Sequence, residues 1–107
     1  MKVVITSIKL KSILKLITFI KLTLKIDNQL IKTNCLAFKK SGFGIKFYTM
    51  TLWQNEEDMK DFARSGAHLE AMRQSNSIAK KIKTLTIEAE TLPSWKEAKK
   101  LLSASKK

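Results

Sequence analysis

The stretch that decides the fold runs from Phe47 to Met72, FYTMTLWQNEEDMKDFARSGAHLEAM. It begins as a strand in which Phe47, Thr49, Thr51 and Trp53 alternate with Tyr48, Met50 and Leu52. Both faces of that strand carry large apolar side chains, so neither is expected to meet open water. A tight turn follows, and Asn55 then caps a helix whose first turn is Glu56-Glu57-Asp58. Three negative charges there suit the positive end of the helix dipole. Met59, Phe62, Ala63 and Gly66 form the stripe that should face inward. Ser65-Gly66 then leaves two readings open. Either the helix breaks, with Ser65 as a second N-cap and residues 67–73 as a separate turn or two, or it runs on unbroken.

Working outward, residues 2–10 are rich in Val and Ile and read as a first strand. From Ser12, a plausible N-cap, the period changes. Ile13, Leu16, Ile17, Ile20 and Leu24 follow helical spacing to about Lys32, with Lys11, Lys15, Lys21 and Lys25 mostly on the other side. The Thr and Ile content keeps strand as a competitor between Ile17 and Ile26. A Lys-lined helix of this kind suits either the domain's own sheet or a membrane surface, and packing on the sheet is the expectation. Residues 34–40 read as a second strand ended by Lys39-Lys40-Ser41-Gly42, and 44–53 as the third. Gln74-Ser75-Asn76-Ser77 reads as a polar link. Residues 82–91 alternate as a fourth strand, with Thr84, Thr86 and Glu88 on the better solvated face. Leu92-Pro93 ends it, and Ser94-Trp95-Lys96-Glu97 is a capping box opening a short helix with Ala98, Leu101 and Leu102 inward.

The order β-α-β-β-α-β plus a C-terminal helix is the split βαβ, ferredoxin-like α+β pattern: an antiparallel four-stranded sheet with two helices on one face. Residues 1–107 form a single domain. The helices cover one sheet face, and a chain this short has little left to cover the other. A homodimer through that open face is the economical expectation.

The bulk charge narrows the function classes. The chain carries +12 overall, and residues 1–55 hold ten lysines against one acid, Asp27. Such a half could attract nucleic acid or anionic lipid. No nucleic-acid motif is present, however, and aromatics do not interleave the lysines as a stacking platform would. One Cys (Cys35) and one His exclude a structural zinc site, and a lone thiol in an apolar run suits a reducing compartment. Lys9, Lys11, Lys15, Lys21 and Lys25 interrupt every window approaching the roughly 20 apolar residues of a membrane span. A cytoplasmic protein is the default.

Three sets of residues carry a resemblance. Tyr48-Thr49-x-Thr51-x-Trp53, then Met59-x-x-Phe62-x-x-Ser65-Gly66-x-His68-x-x-Ala71-Met72, then Leu92-Pro93-Ser94-Trp95 resemble spheroidene-monooxygenase-like proteins, relatives of the antibiotic-biosynthesis monooxygenases. The match covers about residues 44–102. The resemblance implies a dimeric α+β barrel, with oxygen-dependent chemistry on an apolar substrate in a pocket between sheet and helices. It implies haem in some relatives and no cofactor in others. The haem-degrading pattern, which needs an Asn on the first strand, is not matched, since no Asn precedes Asn28.

His68 is the sharpest catalytic candidate. In the first turn of a new helix the dipole would disfavour its imidazolium, leaving a neutral ring able to accept a proton or ligate haem iron. On a continuous helix it would project opposite Met59. Trp53, Tyr48, Thr49, Met50, Phe62, Met72 and Arg64 are the candidate pocket or ligand-binding residues, each with an ordinary core or surface role as its competitor. Two functions follow: a small monooxygenase-like or haem-binding enzyme acting on an apolar substrate, or a non-catalytic dimeric module that binds a ligand or partner with its basic surface.

Overall fold

The computed structural model describes residues 1–64 and 66–104, with positions 43, 67 and 76 described by main chain only. Strand β1 spans Lys2–Leu10, and a 3-10 turn at Ile13–Lys15 leads into helix α1, Leu16–Ile31. Strands β2 (Cys35–Phe43) and β3 (Lys46–Trp53) form a hairpin, followed by helices α2 (Glu56–Ala63) and α3 (Gly66–Ile78). Strand β4 (Ala79–Glu88) and helix α4 (Trp95–Ala104) complete the chain. The sheet order is β2-β3-β1-β4 and every neighbouring pair is antiparallel. This is the ferredoxin-like α+β arrangement, and its four strands remain an open sheet.

Local chemistry sets several boundaries. The Asn55 side chain accepts the Asp58 N–H at 2.9 Å, and the Ser94 hydroxyl accepts the Glu97 N–H at 3.2 Å, so both expected caps form. Ser12 makes no side-chain cap, and the 3-10 turn opens the helix in its place. Strand β2 runs on past the turn expected at residues 39–42, because Gly42 takes a φ of +123° inside the hairpin. A Cβ there would lie 2.4 Å from the Lys46 carbonyl oxygen, so only glycine fits. The polar segment 74–77 is not a link but the last turns of α3. Ser75 and Ser77 hydroxyls donate to the Met72 and Gln74 carbonyls, which keeps them inside the helix.

The two sheet faces are covered by different layers. On one, Val3 and Ile5 of β1 pack with Met50 and Leu52 of β3 and with Ala98 and Leu102 of α4; Val3, Ile5 and Met50 are fully buried. The centre of the face expected to be bare is therefore covered by the chain's own C-terminal helix, while Tyr48, Leu85 and Ile87 around it stay partly buried. Ten residues suffice for the centre, so the open-face expectation of a second subunit applies to the partly buried rim and not to the whole face. On the other face, α1, α2 and α3 form the opposite layer. There Leu10, Phe19, Leu22 and Ile78 make one cluster and Leu30, Trp53 and Phe62 another.

Helix α1 corrects a second expectation. Its core side is Phe19, Leu22 and Leu30, with Ile26 and Leu16 partly buried. Four of the five residues assigned inward by periodicity point out: Ile13, Ile17, Ile20 and Leu24 are 55%, 68%, 45% and 56% exposed. Two apolar stripes share this helix, and the one with the larger ring, Phe19 against Phe47 at 4.6 Å between centroids, wins the core.

Candidate functional site

Between the helical layer and the sheet lies a cavity of about 440 Å³. Its floor is the helix-facing side of the sheet. Strand parity and register place Val4, Thr6 and Ile8 beside Thr51, Thr49 and Phe47 on one flank, and beside Thr86, Thr84 and Ile82 on the other. The threonines of β4 read as a solvated strand face therefore line this cavity. Its roof carries Phe19, Leu22 and Ile26 from α1, Met59 and Phe62 from α2, and His68, Ala71 and Met72 from α3. Met72, Ile82, Thr84 and Thr86 line the space yet reach solvent, which places a mouth between α3 and the β4 edge.

His68 enters this space because the helix does break. α2 ends at Ala63 and α3 starts at Gly66, making His68 the third residue of a new helix. The second N-cap expected at Ser65 lies outside the described residues. Gly66 has a φ of +57°, the left-handed region that an L side chain enters only at a cost. A Cβ there would lie 3.1 Å from the Gln29 side chain. Gln29 reaches over from α1 to hold the break. Its Nε2 donates to the Phe62 carbonyl at 3.3 Å and its Oε1 accepts the His68 N–H at 2.8 Å.

The imidazole has a defined polarity. Nδ1 lies 3.1 Å from the Ala63 carbonyl oxygen. A carbonyl only accepts, so in the neutral ring the proton sits on Nδ1 and the lone pair on Nε2. Burial pushes the His68 pKa down, and the Ala63 hydrogen bond only partly opposes it. The ring packs against Phe62 at 4.9 Å. The result is a neutral imidazole with a basic nitrogen, set among apolar walls.

Of the other sequence-picked residues, Trp53, Thr49, Phe62 and Met72 line the cavity with His68. Trp53 is 1% exposed, packs on Phe62 at 5.2 Å, and donates its indole N–H to the Thr51 hydroxyl at 2.8 Å. That N–H is already bonded and shapes the wall. Tyr48 is not in the site. It has the opposite parity to Thr49 and packs on the α4 side, 6.5 Å from the Trp95 ring and 4.8 Å from the Lys99 ammonium. Met50 borders the cavity, but its fully buried side chain belongs to the Val3–Leu102 cluster. Arg64 is exposed at the end of α2, outside the cavity. The Tyr48 and Met50 misses share one cause, since the two faces of β3 both looked apolar and only tertiary packing tells them apart; Arg64 is instead carried to the surface at the end of α2. Gln29 was missed altogether, and Thr51 was noted on its strand without a role in the site. No local signal marks a glutamine that acts 39 residues away.

Cys35 is half-buried, its thiol near the Ala37 and Leu52 carbonyls at 3.3 and 3.7 Å, and burial raises its pKa. It is a packing residue and not an activated nucleophile. Among the described residues no cluster of His, Cys, Asp or Glu could hold a metal ion.

The geometry defines an α+β protein with a ligand-sized cavity between sheet and helices, and comparison with solved structures gives that class a name. A candidate antibiotic biosynthesis monooxygenase from Deinococcus radiodurans superposes with a TM-score of 0.74 at 14% identity, covering 88% of this chain and 97% of that one. One from Nitrosomonas europaea gives 0.72 at 11% identity, over 85% and 100% of the two chains. SnoaB, a cofactor-independent oxygenase from Streptomyces nogalater, gives 0.68 at 7% identity, over 87% and 97%. The chain thus has the fold of the antibiotic biosynthesis monooxygenases, as the sequence resemblance implied. No protein-family model and no curated protein matches the sequence.

Proposed function

We propose that this protein is a small oxygenase-like enzyme that acts on an apolar, ring-bearing substrate in the sheet–helix cavity, with His68 as its base. One observation carries the reading: a cavity of about 440 Å³, walled mainly by apolar side chains, into which a neutral imidazole is held with its proton on the far nitrogen. Cavities of this size with a few placed polar groups are the usual form of small-molecule sites. The His68 Nε2 lone pair takes a proton from an acidic C–H of the substrate, leaving the electron pair delocalised over its rings. That carbanion gives its electrons to dioxygen and a C–O bond forms. The His68 proton caps the outer oxygen as a hydroperoxide. Cleavage of its O–O bond, with loss of the second hydrogen on that carbon, releases water and leaves a ring carbonyl. The His68 proton leaves in that water. Electrons come from the substrate, so the residues present need only bind, orient and move protons. The fold shared with SnoaB, described as cofactor-independent, supports this route.

The test is oxygen consumption with an anthrone and no added metal. Wild-type turnover that drops by about 10²-fold or more in His68→Ala is the expected result for a lost general base. Equal rates in both, or no anthrone binding to either, would remove the proposal.

A second reading follows from the same hydrogen bond. A histidine that donates Nδ1–H to a backbone carbonyl presents Nε2 as ligating histidines do, so His68 would also be the residue to hold haem iron. Haem would there supply redox chemistry. A Soret shift on hemin addition that His68→Ala abolishes selects this reading over the first. Association of two chains is part of the proposal: α4 covers the centre of the sheet face first expected to pair, and the partly buried Tyr48, Leu85 and Ile87 are what a partner would cover. A cytoplasmic setting fits the lone, half-buried thiol of Cys35; no helix among the described residues is long and apolar enough to cross a membrane.

A further inference from the structure

We propose that the outward side of α1 is a docking surface for an anionic lipid bilayer, on which the helix lies in the interfacial plane. The observation behind this is the stripe left out of the core. At 3.6 residues per turn, Ile17, Ile20, Leu24 and Ile31 fall within about 60° of one another. Ile31 is 73% exposed, and Leu14, in the turn that precedes the helix, is 85% exposed. Single exposed apolar residues are ordinary, but a line of them along one helix marks an interaction site.

The charge around the stripe names the partner. Lys21, Lys25 and Lys32 are exposed and lie about 100° to one side of the stripe, and Lys11 stands ahead of it. The only acid on α1 is Asp27, and its carboxylate is taken up by Lys40 of β2. The helix therefore offers an apolar line rimmed by unneutralised lysines, the pattern of helices that rest in a headgroup layer of anionic lipid. A second copy of the chain fits this surface poorly. Two α1 helices packed antiparallel and stripe to stripe would bring the Lys21 and Lys25 rows along the same side of the seam, with no free carboxylate on either helix to meet them. Spanning is also excluded for α1, since no helix among the described residues has the length and hydropathy to cross a bilayer. The sixteen residues of α1, about 24 Å long, are suited to lie on the surface.

The test is flotation with vesicles of phosphatidylcholine alone and of phosphatidylcholine with phosphatidylglycerol. Wild-type protein should float with the anionic vesicles, remain unbound with the neutral ones, and release as salt is raised. Ile17→Asn/Leu24→Asn should weaken partitioning by tenfold or more while keeping the wild-type far-UV spectrum and melting temperature, because both positions are exposed. Lys21→Gln/Lys25→Gln should weaken it by about fivefold per lysine removed. Lys96→Gln/Lys100→Gln, on exposed sites of α4 across the sheet, should leave it nearly unchanged. Absence of wild-type flotation with anionic vesicles overturns the proposal. So does full binding by the Asn pair, or an equal effect of the α4 pair, either of which reduces the binding to net charge. Sedimentation showing a dimer that the Asn pair splits would overturn it too, assigning the stripe to a second chain.

Discussion

Replacing Gly66 by alanine tests whether backbone conformation and one long-range contact together set the position of His68. Gly66 and Gly44 make a natural pair, with φ of +57° and +68°, so a methyl group costs about 1–2 kcal/mol of backbone strain at either. Their surroundings differ. A Cβ at Gly44 meets nothing within 4 Å, whereas at Gly66 it meets the Gln29 amide at 3.1 Å. Gln29 must then give way, weakening its bonds to the Phe62 carbonyl and the His68 N–H, each worth about 1 kcal/mol net. Gly44→Ala should cost about 1–2 kcal/mol and Gly66→Ala about 2–4 kcal/mol, or roughly 5–10 °C against 10–20 °C in melting temperature. Thermal and urea melts followed by circular dichroism read both. In a Gln29→Ala background the extra cost at Gly66 should vanish, because the atoms it strikes are gone. Equal penalties in the wild-type background, or a gap that persists without Gln29, would refute the reasoning.

The remaining predictions concern single side chains. The low pKa of His68 makes the folded chain refuse a proton that the unfolded chain accepts near pH 6.5. Stability should therefore be level above about pH 7, fall as pH drops below the unfolded value, and flatten beneath the folded one. His68→Gln should remove that part of the slope in urea titrations at a series of pH values. Thr51→Val leaves the buried Trp53 N–H without its acceptor and should cost about 1–3 kcal/mol, seen as a lower urea midpoint at constant m-value. Leu102→Ala, at a site 3% exposed beneath α4, should cost about 2–5 kcal/mol. A cost below about 1 kcal/mol would mean that α4 does not hold the sheet face in solution.

Much of the fold could be read from the sequence because its signals were local. The two-faced strand 47–53 and the Asn55 and Ser94 caps each follow from residues within one turn of the feature they create, while the break before His68 was one of two readings that Ser65-Gly66 allowed. The errors arose where one pattern had two solutions. Periodicity showed that α1 is amphipathic, but Ile13, Ile17, Ile20 and Leu24 compose as good a stripe as Phe19, Leu22, Ile26 and Leu30. Only packing against Phe47 decides between them. Tyr48 and Thr49 differ by one step of a strand and so by a whole face of the sheet. The second layer was misjudged because α4 looked too short to cover a sheet, although Ala98 and Leu102 need only reach its centre.

The Gln29 amide has a mechanical consequence. It sits on α1, the helix whose outer side carries the exposed stripe, and it grips the main chain on both sides of the α2–α3 break. A slide or roll of α1 thus acts as a lever whose short arm is the peptide that carries His68. Exchange of the His68 amide proton would report it, slow while Gln29 is present and faster in Gln29→Ala. A displacement of α1 would thus be passed to the peptide that carries His68 through one side chain.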